Sequence, residues 1–136
     1  MPDVTVRYEE GDRFRATIRG HRLVIDQPVE DGGTDAGPTP TELFVAGLAS
    51  CVAFYAERYL RRHHLPVDGL AVDCTYAFGS DRPSRVASIE CIVHAPGLPA
   101  SRRGAFLAVI DHCTVHNSMR QAPLVRIEVH SSELAA

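Results

Sequence analysis

Four cysteines, at positions 51, 74, 91 and 113, are the side chains in this 136-residue sequence best suited to chemistry. A thiolate is a nucleophile and a metal ligand, and its reactivity is set by its surroundings. Cys51 lies among the small residues Gly47, Ala49, Ser50 and Ala53, which let another element approach closely. It reads either as a buried inert thiol or as a reactive one. Cys113 opens the run Cys113-Thr114-Val115-His116-Asn117-Ser118. A cysteine that starts a helical turn faces unpaired N–H groups, which lower a thiol pKa. Cys74 and Cys91 alternate with apolar residues and read as small core hydrophobes, dispensable for chemistry. His112, Cys113 and His116, with His63 and His64, raise a metal reading. A closed zinc site needs four ligands, usually in two paired motifs, and no paired Cys-x-x-Cys is present. No metal and no cofactor is expected. His63 and His64 read as a solvated helix end.

The element that must position Cys51 is a helix from Pro40 to about His63. Thr39 is its cap, Pro40 its first residue, and Glu42 falls three after the cap, a capping box. From Leu43 to Tyr55 almost every side chain is apolar or small, so the helix is expected to be buried all round. Ahead of it, residues 4–9, 13–18 and 22–26 read as strands separated by turns at Glu10-Gly11-Asp12 and Gly20-His21. Residues 27–38 form a loop long enough to be a functional candidate. Beyond Leu65-Pro66, even positions from Leu70 to Phe78 and odd positions from Ala87 to Ala95 are apolar, which predicts a hairpin of half-buried strands. A second helix is expected over about 101–112, with Ala105, Phe106, Ala108, Val109 and Ile110 inward. A short segment, Cys113 to Arg120, then leads to a last strand, Leu124 to His130. Segregated strands and helices indicate an α+β domain rather than a parallel βαβ series. One small sheet cannot cover every side of the central helix, so a second subunit is expected to bury the rest.

The length suits one domain over residues 1–136. A net charge of −3 without long runs of like charge gives no sign of nucleic-acid binding. All 14 basic residues are Arg, which excludes a Schiff-base lysine. Met1-Pro2-Asp3-Val4 does not open a signal peptide, and an apolar run of about 13 residues is too short to span a bilayer. Four cysteines in that context read as reduced thiols, so a cytoplasmic location is expected, without a membrane partner.

Gly37-Pro38-Thr39-Pro40-Thr41-Glu42-Leu43, followed by Gly47-Leu48-Ala49-Ser50-Cys51, resembles the first signature of the OsmC/Ohr family. Cys113-Thr114-Val115-His116-Asn117-Ser118 resembles the second, and the loop with Asp26-Gln27-Pro28 and Gly32-Gly33 is also similar. The resemblance implies an intertwined α+β homodimer, with antiparallel sheets packed on a long buried central helix. It implies a thiol peroxidase acting on organic hydroperoxides and recycled by a dithiol reductant. Cys51 matches the peroxidatic cysteine and Cys113 the resolving one. The family brings an Arg from the N-terminal strands to the reactive thiol, held by a Glu. Arg13 best fits that Arg, with Arg15, Arg19 and Arg22 nearby. In the peroxidase branches the Glu lies ten residues before the cysteine. Here Thr41 stands there and Glu42 is nine before, about 180° round the helix from Cys51, so Glu42 reads as a cap as well as a catalytic candidate. The shifted Glu resembles an OsmC-like branch more than the peroxidase branches. Three functions follow: a cysteine hydroperoxide reductase, a noncatalytic protein binding small molecules in an apolar dimer-interface pocket, and a metal-binding dimer.

Overall fold

The computed structural model describes residues 2–132. Its first third is an antiparallel meander of β1 (Val4–Glu10), β2 (Arg13–Ile18) and β3 (His21–Ile25) in the order β1-β2-β3. Gly11 turns β1 into β2 at φ +54°, a left-handed conformation that costs glycine little. A register shift between Tyr8 and Glu10 bulges β1 at this turn. These strands and turns lie where alternation and turn residues predict them.

The loop that follows is organised by one carboxylate. Asp26 is 1% exposed. It accepts hydrogen bonds from the Gln27 N–H at 2.7 Å, the Thr34 hydroxyl at 2.7 Å, the Thr34 N–H at 3.3 Å and the Ala36 N–H at 3.1 Å. These donors stabilise the charged form, the Thr34 hydroxyl most, and hold its pKa at about 2. A Cβ on Gly33 would collide with the Gln27 carbonyl, and one on Gly37 with the Val24 carbonyl. The loop is therefore folded tightly against the end of β3 and delivers the chain to the first helix.

That helix, α1, runs from Pro40 to Arg62. Thr39 Oγ1 accepts from the Glu42 N–H at 3.1 Å, and Glu42 Oε1 accepts from the Thr39 N–H at 2.8 Å, so the predicted capping box is formed. Leu48, Val52, Ala56, Tyr59 and Leu60 enter the core with Phe106, Ile110 and Cys113. The opposite side differs from the expectation of burial all round. Ala46, Ser50, Phe54 and Arg58, each four residues apart, are exposed, and Phe44 and Phe54 are 49% and 53% exposed. The chain has elements enough to cover one side only. By length and composition α1 could cross a bilayer, with a mean hydropathy of 1.3 over an 18-residue window, beyond what its apolar run suggests. One side of it packs on β4, β5 and the helices of this same chain.

Strands β4 (Ala71–Phe78) and β5 (Val86–His94) form the predicted hairpin, a separate two-stranded sheet that packs on α1. After a 3-10 turn at Ala100–Arg102, helix α2 (Arg103–Ile110) buries Phe106 and Ile110, whereas Ala105, Ala108 and Val109, also expected inward, are exposed. Residues 114–120, expected as a linking segment, form a third helix, α3 (Thr114–Arg120). The predicted strand Leu124–His130 is not paired: these residues carry no ladder, and Leu124 and Ile127 are 89% and 85% exposed. Alternation marks a strand that could bury one face, but a ladder needs a free edge within reach.

Candidate active site

Helix α3 brings the two cysteine motifs together. Cys51 sits midway along α1, half-buried, and Cys113 is the N-cap of α3, fully buried. The Val115 N–H points at Cys51 Sγ at 3.5 Å, and the His116 N–H points at Cys113 Sγ at 3.4 Å. Thus the first-turn N–H groups of α3 are shared between two sulfurs from different elements. Tyr55, one turn after Cys51, hydrogen-bonds through its hydroxyl to Thr114 Oγ1 at 2.8 Å and ties α1 to the start of α3.

Cys113 titrates against the expectation. Burial pushes its thiol up, the Cys51 side chain adds to this, and the His116 and Val115 N–H groups oppose it without winning. An N-cap position lowers a thiol pKa only while water reaches the sulfur, and here desolvation is the larger effect.

The turn between α2 and α3 is braced by polar contacts. Arg120 donates to the Asp111 carbonyl at 3.0 Å and to its carboxylate at 2.7 Å, and Asn117 Nδ2 donates to the His112 carbonyl at 3.1 Å. The Arg120 guanidinium, more than the nearby histidines, holds the Asp111 carboxyl below its usual range. The histidines are committed elsewhere: His112 Nδ1 bonds the Ala108 carbonyl at 2.8 Å, and His116 Nδ1 lies 3.6 Å from Asp111. Among the described residues, no three His, Cys, Asp or Glu side chains are grouped to hold a metal ion.

Arg13 and Glu42 stand apart from the thiols in this chain. Arg13 pairs with Glu9 at 3.4 Å and with Glu10, while Arg15 takes Glu9 at 2.8 Å. Helix α1 packs chiefly on β4, β5, α2 and α3, not on the sheet that carries Arg13. Among the described residues no hydrogen bond or ion pair joins Arg13 to Cys51. Glu42 is exposed and spends its carboxylate on the cap of α1.

An apolar cleft of about 1470 Å³ lies beside the thiols, bordered by Leu48, Val52, Val115, Phe106 and Met119, with Arg103 and Arg120 among its polar residues. Cys51 and Cys113 do not line it, but Val115, whose N–H points at Cys51, does. Sequence reasoning anticipated N–H groups facing Cys113 but missed that the Val115 N–H reaches Cys51 and that Tyr55 bonds Thr114. Contacts between distant elements leave no residue-type signal in a local stretch.

The family model for OsmC-like protein matches residues 32–128, most of the chain and both cysteine motifs. No curated protein matches the sequence. Among solved structures, a Psychrobacter arcticus protein named for osmotic stress induction and detoxification response superposes with a TM-score of 0.78 at 23% identity, covering 87% of this chain and 88% of that one. An OsmC-like protein of Mycoplasma pneumoniae gives 0.74 at 18% identity over 88% and 87%. An organic hydroperoxide resistance protein OsmC of Legionella pneumophila gives 0.67 at 17% identity over 86% and 87%. At these identities the likeness is one of fold.

Proposed function

The chain belongs to the OsmC-like protein family, and from that premise we propose that it is a thiol-dependent peroxidase that reduces organic hydroperoxides through Cys51 and Cys113. The observation that carries the reading is the meeting of these two thiols at the first turn of α3. The name of the Legionella pneumophila relative points to the same substrate class. In the proposed cycle the Cys51 thiolate attacks the outer peroxide oxygen. The O–O bond breaks, the alcohol leaves, and Cys51 becomes a sulfenic acid. Cys113 then attacks that sulfur and water leaves, which stores the two electrons as a disulfide. A dithiol reductant restores both thiols by exchange. A thiol kept protonated at rest suits Cys113, because it is needed only in the second step and its proton departs with the water.

The cation that would favour the Cys51 thiolate is Arg13, supplied by a second copy in a homodimer. The exposed Phe54 face of α1 and the exposed apolar residues Val4, Val6, Tyr8 and Phe14 of the N-terminal sheet support this arrangement. The reading carries with it a cytoplasmic location and no cofactor. A noncatalytic protein binding apolar small molecules in the cleft is the second reading, favoured by the distance of Arg13 and Glu42 from the thiols within one chain. Stopped-flow mixing of the reduced protein with cumene hydroperoxide, followed by thiol counting, separates the two. Loss of two thiols per peroxide is expected, and an unchanged thiol count would leave the binding protein.

A further inference from the structure

Two thiols lie outside that site. Cys74 of β4 and Cys91 of β5 are direct partners in the antiparallel register, and their sulfurs are 2.7 Å apart. Directly opposed residues in an antiparallel pair have Cα atoms about 4.5 or 5.5 Å apart. Both spacings fall within the roughly 4.4–6.8 Å that a disulfide spans, so a bond here needs no backbone movement. Neither cysteine is sealed in the core: both are half-buried and both are free thiols.

We propose that Cys74 and Cys91 are a second dithiol, which a low-molecular-weight disulfide oxidises reversibly to a cross-strand disulfide. This goes beyond the peroxidase reading and does not depend on it. The two sulfurs have separate parts in the exchange. Burial, reinforced by the Cys74 side chain, pushes the Cys91 thiol up. Either sulfur can attack first in the exchange, here Cys74. Its thiolate forms a bond to one sulfur of the small disulfide, whose S–S bond breaks and releases one thiolate. The Cys91 proton passes to solvent, and the released thiolate is protonated from solvent. The Cys91 sulfur then attacks Cys74 and expels the second small thiolate, which is protonated by solvent with the proton that Cys74 first gave up. Two protein thiols are oxidised, one small disulfide is reduced to two thiols, and no other reactant is needed. In a reducing compartment such a bond persists only while the disulfide pool is raised, which makes the pair a redox-responsive clamp. What it clamps is the hairpin packed on α1, and Cys91 itself lines the apolar cleft beside Cys51 and Cys113.

The test uses the full chain, reduced and then incubated with oxidised glutathione. Remaining thiols are alkylated and the protein is cut after arginine. Cleavage after Arg58, Arg62, Arg85, Arg102 and Arg103 places all four cysteines in different peptides, so each linkage is read separately. The expected result is a linked pair of peptides carrying Cys74 and Cys91, abolished by dithiothreitol. It should form whether or not a Cys51–Cys113 linkage forms beside it. In Cys74→Ser, and equally in Cys91→Ser, the linked pair should be absent. Recovery of both wild-type peptides as alkylated or singly glutathionylated, without the link, would overturn the proposal. So would a link that forms only in denaturant.

Discussion

At Cys113 two environmental effects oppose each other. The N–H groups of His116 and Val115 favour the thiolate, and complete burial favours the thiol; burial prevails. Cys51 is half-buried and receives the Val115 N–H, so under the proposed function it is the more accessible of the two sulfurs that would meet a peroxide. Cys51→Ser is accordingly expected to abolish consumption of tert-butyl and cumene hydroperoxides. Cys113→Ser should react once and then stall as sulfenic or sulfinic acid, visible as a mass increase of about 16 or 32 Da, one or two oxygens. A second residue-scale prediction concerns Asp26. Its folded pKa of about 2 lies below the ordinary 3.8 because four hydrogen bonds need the charged form. A depressed carboxylate stabilises the fold above its unfolded pKa, and that stabilisation is lost as pH falls through the folded value. Wild-type stability should therefore drop between about pH 4 and pH 2. Asp26→Asn, read by denaturant unfolding across this window, should be less stable at pH 7 and should lack this part of the acid dependence.

Helix α1 owes its start to the reciprocal bonds between Thr39 and Glu42. Thr39→Ala should cost about 1 kcal/mol in urea unfolding, as loss of an N-cap generally does. Glu42→Gln retains an acceptor at the same place and should cost less. If Glu42 acts only as a cap, neither change should lower the second-order rate with hydroperoxide in folded protein. The cap, the strands and the turns were legible because each is written in a handful of adjacent residue types. Thr39-Pro40-Thr41-Glu42 specifies a helix start, and the alternation around Cys74 and Cys91 specifies a hairpin. The register that sets those two thiols against each other was not legible, since it depends on where the chain turns between Phe78 and Val86. Nor was α3: its residues, Thr114 to Arg120, are ordinary, and the helix is held by bonds to Asp111, His112 and Tyr55 from other elements. The direction of the Cys113 titration was misjudged for the same reason. A local sequence shows the N–H groups of a helical turn and hides the packing that excludes water from it.

At the scale of the whole molecule, apolar side chains lie exposed on three elements among the described residues. They are Phe44 and Phe54 of α1, Val4, Val6 and Tyr8 of β1, and Leu124, Val125, Ile127 and Val129 of the unpaired stretch. Exposed apolar patches on a free monomer invite association, and an extended apolar segment with open N–H and C=O groups invites pairing. A second copy would cover the exposed side of α1, give the 124–130 segment an edge to pair with, and bring an N-terminal sheet with its Arg13 to thiols that no cation among the described residues pairs with. The protein is therefore expected to be an obligate homodimer burying roughly 2,000 Å² or more. Light scattering at micromolar concentration should give twice the chain mass of 14.9 kDa. Phe54→Asp places a charge at the centre of the exposed α1 face without touching the core. It should shift the population toward monomer and lower hydroperoxide consumption together, because the thiols would lose the second copy's Arg13. Arg13→Ala should lower consumption while leaving the dimer intact. A stable wild-type monomer with full activity would remove the second copy from the mechanism, and a dimeric Arg13→Ala protein with unchanged rate would remove Arg13.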